Sequence, residues 1–196
     1  MTSFLIGAFL ATLISALFTT RLYGLILWYS LNSLSLALLA ISIGFKIDDN
    51  TMIISGFLTL IVKSIVIPYI LKKVSMKFGL ARQITPNVPV YYSIMLIPAL
   101  LVFTFYLAEP ITNMMSSNAN YVAISISALF LSLLLIIEHK NIAAKIIGFL
   151  TIENSLFLLG TTATNGMPML VELGIFFDLL MAIVIINLLF KSEELS

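Results

Sequence analysis

Apolar residues run along this chain in long unbroken stretches. They neither alternate every second position, as barrel strands do, nor keep to one stripe, as in a helix of a water-soluble domain. The runs predict seven spanning helices, at about 3–20, 23–45, 51–71, 90–108, 121–137, 142–163 and 169–190. Each approaches or exceeds the roughly 20 residues that cross about 30 Å of hydrocarbon at 1.5 Å per residue. The breaks are short and polar or carry Pro and Gly: Lys46-Ile47-Asp48-Asp49-Asn50, Lys72 to Pro89, Glu109-Pro110 to Asn120, Glu138-His139-Lys140-Asn141 and Thr164-Asn165-Gly166-Met167-Pro168. The first run starts at Met1 without a basic segment before it and without a compelling A-x-A-like site at its end. It is therefore expected to be retained as a helix, not cleaved as a signal peptide.

Composition agrees with the pattern. The chain is 61% hydrophobic and 10% charged, against about 25% charged in soluble domains. The fold class expected is an all-α membrane protein. There is no cysteine, which excludes disulfides and thiolate-held clusters within this chain. The single histidine makes a haem or zinc site built from this chain alone improbable. A net charge of +1 offers no electrostatic case for nucleic acid. Phosphate-cradling loops, nucleophile elbows and metal-ligand spacings are absent from the sequence, so the chain reads as a non-catalytic membrane component.

The basic residues suggest an orientation. With seven spans, one side of the membrane receives Arg21, Lys72, Lys73, Lys77, Arg82, Lys140, Lys145 and Lys191, and the other receives Lys46. The positive-inside rule then places the N-terminus outside and the C-terminus in the cytoplasm of a cell membrane. The long basic connection at 72–89 divides the chain into a three-helix part, 1–80, and a four-helix part, 81–196, without an obvious repeat between them.

Four charged residues fall inside these spans: Lys63, Glu153, Glu172 and Asp178. A charge at the centre of a spanning helix costs roughly 2.5–3.5 kcal/mol on insertion scales, so such groups call for a function or a partner. Lys63 shares a helix face with Gly56 and Thr59. Pro68 removes a backbone donor four residues past Ser64, and so frees the Ser64 carbonyl beside the lysine as a stop for water or a cation. Glu153 stands halfway along its span among Thr151, Asn154 and Ser155. Burial and a neighbouring lysine act on a carboxyl's proton affinity in opposite senses, and a group so balanced suits a relay. Glu172 and Asp178 share the last predicted span, about 120° apart and about 9 Å along it, with Glu172 near the outer end. Against these readings stand blander ones: a lysine reaching for the interface, a protonated glutamate in one interhelical hydrogen bond, and an end group in water.

Weaker candidates lie elsewhere. Glu138 and His139, at a span end, are a possible proton entry, though a histidine there is more often an interfacial group. Asn32, Ser33, Ser35 and Ser42 read as interhelical glue. Trp28, Tyr29, Tyr91 and Tyr92 read as interface belt or packing.

These residues carry a family resemblance. The region 121–190 resembles the small three-helix K component of respiratory complex I and its relative among the Mrp cation/proton antiporters, the MrpC-like chains. It has a short basic turn at Glu138-His139-Lys140-Asn141, then Gly148 with Glu153-Asn154, then a last helix with an acid. The whole chain resembles hydrogenase-4 component E of group 4 membrane-bound hydrogenases. The cues are Leu60-Ile61-Val62-Lys63 with Ile67-Pro68, Gly148-Phe149-Leu150 with Glu153-Asn154 and Phe157-Leu158, and Gly166-Met167-Pro168-Met169-Leu170-Val171-Glu172-Leu173-Gly174 with Asp178. Matching Asn154 to the asparagine of the complex I K component puts Leu150 where that family has its first buried glutamate. Glu153 then comes three residues later, close to one turn.

The resemblance implies a proton-path component of a complex I-like membrane arm. It would lie beside antiporter-like chains and a NuoH-like chain and in contact with lipid, with no cofactor of its own. A Ni–Fe site or iron–sulfur clusters would sit in partner chains. Glu153 and Asp178 would exchange protons, with Lys63 as charge partner and Glu172 as an outer station. The alternatives are a component of an Mrp-type antiporter, a structural membrane component, and a lone secondary transporter, which would show a repeat and broken helices.

Overall fold

The computed structural model describes residues 2–77, 84, 89–114, 119–164 and 174. These residues are almost entirely helical: α1 (Thr2–Leu17), α2 (Leu22–Ile47), α3 (Asn50–Ile61), a π-helical turn (Val62–Val66), α4 (Ile67–Lys77), α5 (Val90–Met114), α6 (Ala119–Glu138) and α7 (Ile142–Thr164). The π turn joins α3 to α4 in one continuous rod. Among the described residues, five stretches are long and apolar enough to cross a bilayer: Leu22–Ile47, Asn50–Met76, Tyr91–Ile111, Asn120–Glu138 and Ile142–Ala163. Helix α1 is apolar but has 16 residues, about 24 Å at 1.5 Å per residue. The seventh expected span, 169–190, lies outside the described residues apart from Gly174, and so do Glu172 and Asp178.

Local sequence sets the helix ends. Asp49 caps α3, its carboxylate accepting from the backbone N–H groups of Thr51 and Met52. Asp48 before it takes a left-handed conformation (φ 57°), which a short acidic side chain tolerates, and it closes α2 in a two-residue turn. The break expected from Glu109-Pro110 to Asn120 starts later than its proline suggests, because α5 continues through Pro98, Glu109 and Pro110 to Met114, and α6 begins at Ala119. Each proline forfeits a single backbone hydrogen bond, and the apolar residues on either side keep the helix going.

Helices α1, α2, α7 and α6 close a four-membered ring, with α1 against α2 and α6, and α7 against α2 and α6. The α3–π–α4 rod flanks α2, and α5 flanks α6 on the opposite side. Thr2, Lys46, Tyr121 and Thr161 line one cavity, so α1 and α6 begin at the same end of the bundle and α2 and α7 finish there. The ring therefore pairs α1 with α6 and α2 with α7 in parallel. At the opposite end the α1–α2 turn is tied down by a 2.8 Å bond from Ile84 N–H to the Thr20 carbonyl. That end also holds Arg21, Lys72, Lys73, Lys140 and Lys145.

Close backbone approach needs glycine at two seams. A Cβ on Gly56 would stand 2.6 Å from Ile41 Cγ1, 3.0 Å from Ile41 N and 3.2 Å from the Ala37 carbonyl, which sets how tightly α3 lies on α2. A Cβ on Gly148 would stand 2.5 Å from Ile136 Cγ1 and 3.3 Å from Ile136 N at the α6–α7 seam. With little hydrophobic drive between helices in lipid, such small-residue seams and interhelical hydrogen bonds hold the bundle. The apolar side chains of Phe57, Ile61, Ile65, Val102 and Tyr106 are left on the outside.

Candidate functional site

Lys63 lies at the midpoint of the Asn50–Met76 stretch, and Glu153 at the midpoint of Ile142–Ala163. The fold brings them together: Lys63 Nζ is 3.1 Å from Glu153 Oε1, with side chains 2% and 6% exposed. An ion pair at that separation is worth ~5 kcal/mol at an effective dielectric of about 20. That offsets only part of a desolvation cost of several kcal/mol for each of the two ions.

The backbone around Lys63 departs from the α-helix. Ile67 N–H bonds to the Val62 carbonyl, five residues back, and Val62 N–H is shared between the Leu58 and Thr59 carbonyls. A π turn inserts one residue into the helical repeat, and single turns of this kind concentrate at functional sites. Pro68, which cannot donate to Ser64, is the local cause. The Ser64 carbonyl does not wait for water or a cation, as the sequence suggested. It accepts from Ser30 Oγ at 2.6 Å, and Ser64 Oγ donates back to the Ser30 carbonyl at 3.2 Å. The serine of α2 reaches it because α2 packs along the turn. Gly56, Thr59 and Lys63, which share one helix face, are all buried.

Glu153 is followed by a polar ladder. Asn154 Nδ2 donates to Asn32 Oδ1 at 3.1 Å and to Ser33 Oγ at 2.9 Å. Asn32 Nδ2 in turn donates to the Phe9 carbonyl at 3.0 Å and to Thr12 Oγ1 at 3.3 Å. On the other flank Ser155 Oγ lies 3.1 Å from Ser132 Oγ, and Ser127 Oγ lies 2.6 Å from Thr104 Oγ1. A belt of hydroxyl, amide and charged groups thus crosses the bundle at mid-depth, from the π turn through α7 and α2 to α1, and through α6 to α5. Asn154 Oδ1 is buried and finds no hydrogen-bond partner among the described residues.

Glu138 and His139, the residues read as a possible proton entry, are both buried. Ser93 Oγ donates to Glu138 Oε1, while Glu138 Oε2 finds no partner among the described residues. His139 Nδ1 lies 3.0 Å from the Leu135 carbonyl. A carbonyl can only accept, so Nδ1 carries the proton. Ser93 of α5 reaches Glu138 at the α6 end, and both residues, which the sequence alone placed at a span end, are buried. Tyr29, read as belt or packing, is fully buried.

Among the described residues no group of three or more His, Asp or Glu is gathered that could hold a metal ion. Ser30 was not singled out from the sequence, and nothing short of the fold pairs it with Ser64. Asn32 and Ser33 carried a readable signal: the tripeptide Asn32-Ser33-Leu34 returns as Asn154-Ser155-Leu156, and the two copies meet across parallel helices.

No family model matches the chain, and no solved structure matches it. It is similar to the uncharacterized protein Rv0085 of Mycobacterium tuberculosis, at 25% identity over 157 residues, covering 79% of this chain and 71% of that one.

Proposed function

We propose that the protein is an integral, non-catalytic component of a complex I-like membrane assembly, of the group 4 hydrogenase kind, and that Glu153 and Lys63 belong to its proton path. The observation that carries this reading is the ion pair buried at the midpoints of two apolar helices. Intramembrane ionisable pairs are costly and mark proton or ion routes. The π turn at Lys63 and the polar side chains on both flanks of Glu153 support a lateral route. In it Glu153 takes and releases the proton while Lys63 sets its charge. Asp178 and Glu172 continue the route toward the outer face, and the buried Glu138 and His139 belong to its cytoplasmic limb. Redox cofactors, a Ni–Fe site or iron–sulfur clusters, reside in partner chains, with antiporter-like and NuoH-like membrane chains as neighbours. The gathering of Arg21, Lys72, Lys73, Lys140 and Lys145 at one end supports a cell-membrane protein with that end in the cytoplasm.

Glu153→Gln in the intact complex tests the reading. Assembly should survive and coupled proton translocation should be lost; unchanged translocation would refute it. A structural role is the second reading, favoured by the Asn154–Asn32–Thr12 ladder that knits three helices. It predicts that removing charge at both Lys63 and Glu153 leaves translocation intact. A component of an Mrp-type antiporter would use the same residues and is distinguished by whether antiporter or hydrogenase chains co-purify.

A further inference from the structure

We propose that the groove between α2 and α4 at the basic end of the bundle binds one anionic phospholipid. The groove has a volume of about 400 Å³ and is walled by Tyr23, Ile26, Leu27, Pro68, Tyr69 and Lys72. That is within the roughly 300–1,000 Å³ of small-ligand sites. Its deep end is Ser30, where α2 is stitched to the π turn by the Ser30–Ser64 exchange. From that stitch the groove follows α2 from Ser30 to Tyr23, about 10 Å at 1.5 Å per residue, with Pro68, Tyr69 and Lys72 of α4 on its other side.

The chemistry is graded along that length. Ile26, Leu27 and Pro68 line the inner part, and Lys72, one helical turn beyond Pro68, lies toward the basic end. Apolar walls with a cation at the membrane-surface end match a phospholipid whose acyl chain lies in the groove and whose phosphate meets the ammonium. Basic pockets between spanning helices recognise anionic head groups in this manner. A free phosphate would use the lysine and leave the apolar walls unpaired. A zwitterionic lipid would fill the walls while presenting no net charge to Lys72. The acyl chain would also cover the Ser30–Ser64 stitch from water. This inference does not depend on the proton-path reading.

The test is lipid binding by the purified, delipidated protein in detergent, read by native mass spectrometry. The titrants are phosphatidylglycerol, phosphatidylcholine of the same acyl chains, and inorganic phosphate. The wild-type protein should retain phosphatidylglycerol in preference to phosphatidylcholine, and inorganic phosphate at the same concentration should not displace it. Lys72→Gln should weaken phosphatidylglycerol binding about fivefold, the factor corresponding to about 1 kcal/mol per basic residue at an anionic surface, and Lys72→Arg should restore it. Lys73→Gln, which removes a neighbouring exposed charge outside the groove, should change little. Equal affinity for both lipids, displacement by phosphate, or equal losses from Lys72→Gln and Lys73→Gln would each overturn the proposal.

Discussion

Replacing Lys63 with methionine keeps most of the side-chain volume but removes the charge facing Glu153 across 3.1 Å. The Glu153 carboxylate, 6% exposed, is then left in a dry interior, and breaking one side of a buried pair costs about 3–5 kcal/mol. Glu153→Leu removes the other partner and should cost a similar amount by stranding the ammonium. Changing both at once replaces the pair with apolar groups, a substitution that is often neutral or stabilising. The double variant should therefore be more stable than either single one, with a coupling energy of about 3 kcal/mol or more. Neighbours that touch commonly couple by about 0.5–3 kcal/mol, so this pair should stand at or above the top of that range. The assay is reversible unfolding of the four proteins in detergent mixed with increasing SDS, followed by loss of helical circular dichroism. Additive single effects, within about 0.5 kcal/mol, would refute the claim that the two charges depend on each other.

Three further outcomes follow from the packing. Gly56→Ala should destabilise more than Gly148→Ala in thermal unfolding, within the roughly 1–3 kcal/mol typical of overpacking, because its new Cβ meets backbone atoms at 3.0 and 3.2 Å, against 3.3 Å for the nearest backbone atom at Gly148. Equal costs would mean the α2–α3 seam opens freely. Asn154→Leu severs the bonds to Asn32 and Ser33 and should cost about 1–2 kcal/mol, given the roughly 0.6–1.7 kcal/mol measured for interhelical bonds in membranes; a stabilised variant would contradict the ladder. Ser30→Ala should accelerate amide hydrogen exchange at residues 62–67, since the Ser64 carbonyl loses its acceptor role toward α2. Unchanged exchange there would show that the π turn does not rely on that stitch.

Much of this architecture is written in hydrophobic continuity. The apolar runs between 23 and 163 locate the spans, because in lipid every backbone polar group must be satisfied within its own helix. What continuity cannot encode is which helix meets which. Lys63 was readable as a charge needing a partner, but Glu153, Asp178 and Glu172 were equally available by sequence, and the geometry pairs it with Glu153. Pro68 announced a freed carbonyl, yet the hydroxyl that meets it comes from Ser30, 34 residues away. Pro110 misled as the start of a break, where apolar context outweighs one missing donor. At 138–139 the charged dipeptide read as a span end at the interface, whereas both residues are buried and α5 supplies Ser93 to Glu138.

In the proposed proton path, Glu153 carries the proton while Lys63 sets its charge. That role is tested most directly by reconstituting the intact complex with Glu153→Gln into sealed vesicles and following internal pH during turnover. The variant should assemble normally, with proton translocation lost or sharply reduced. Full translocation by the assembled variant would contradict that role.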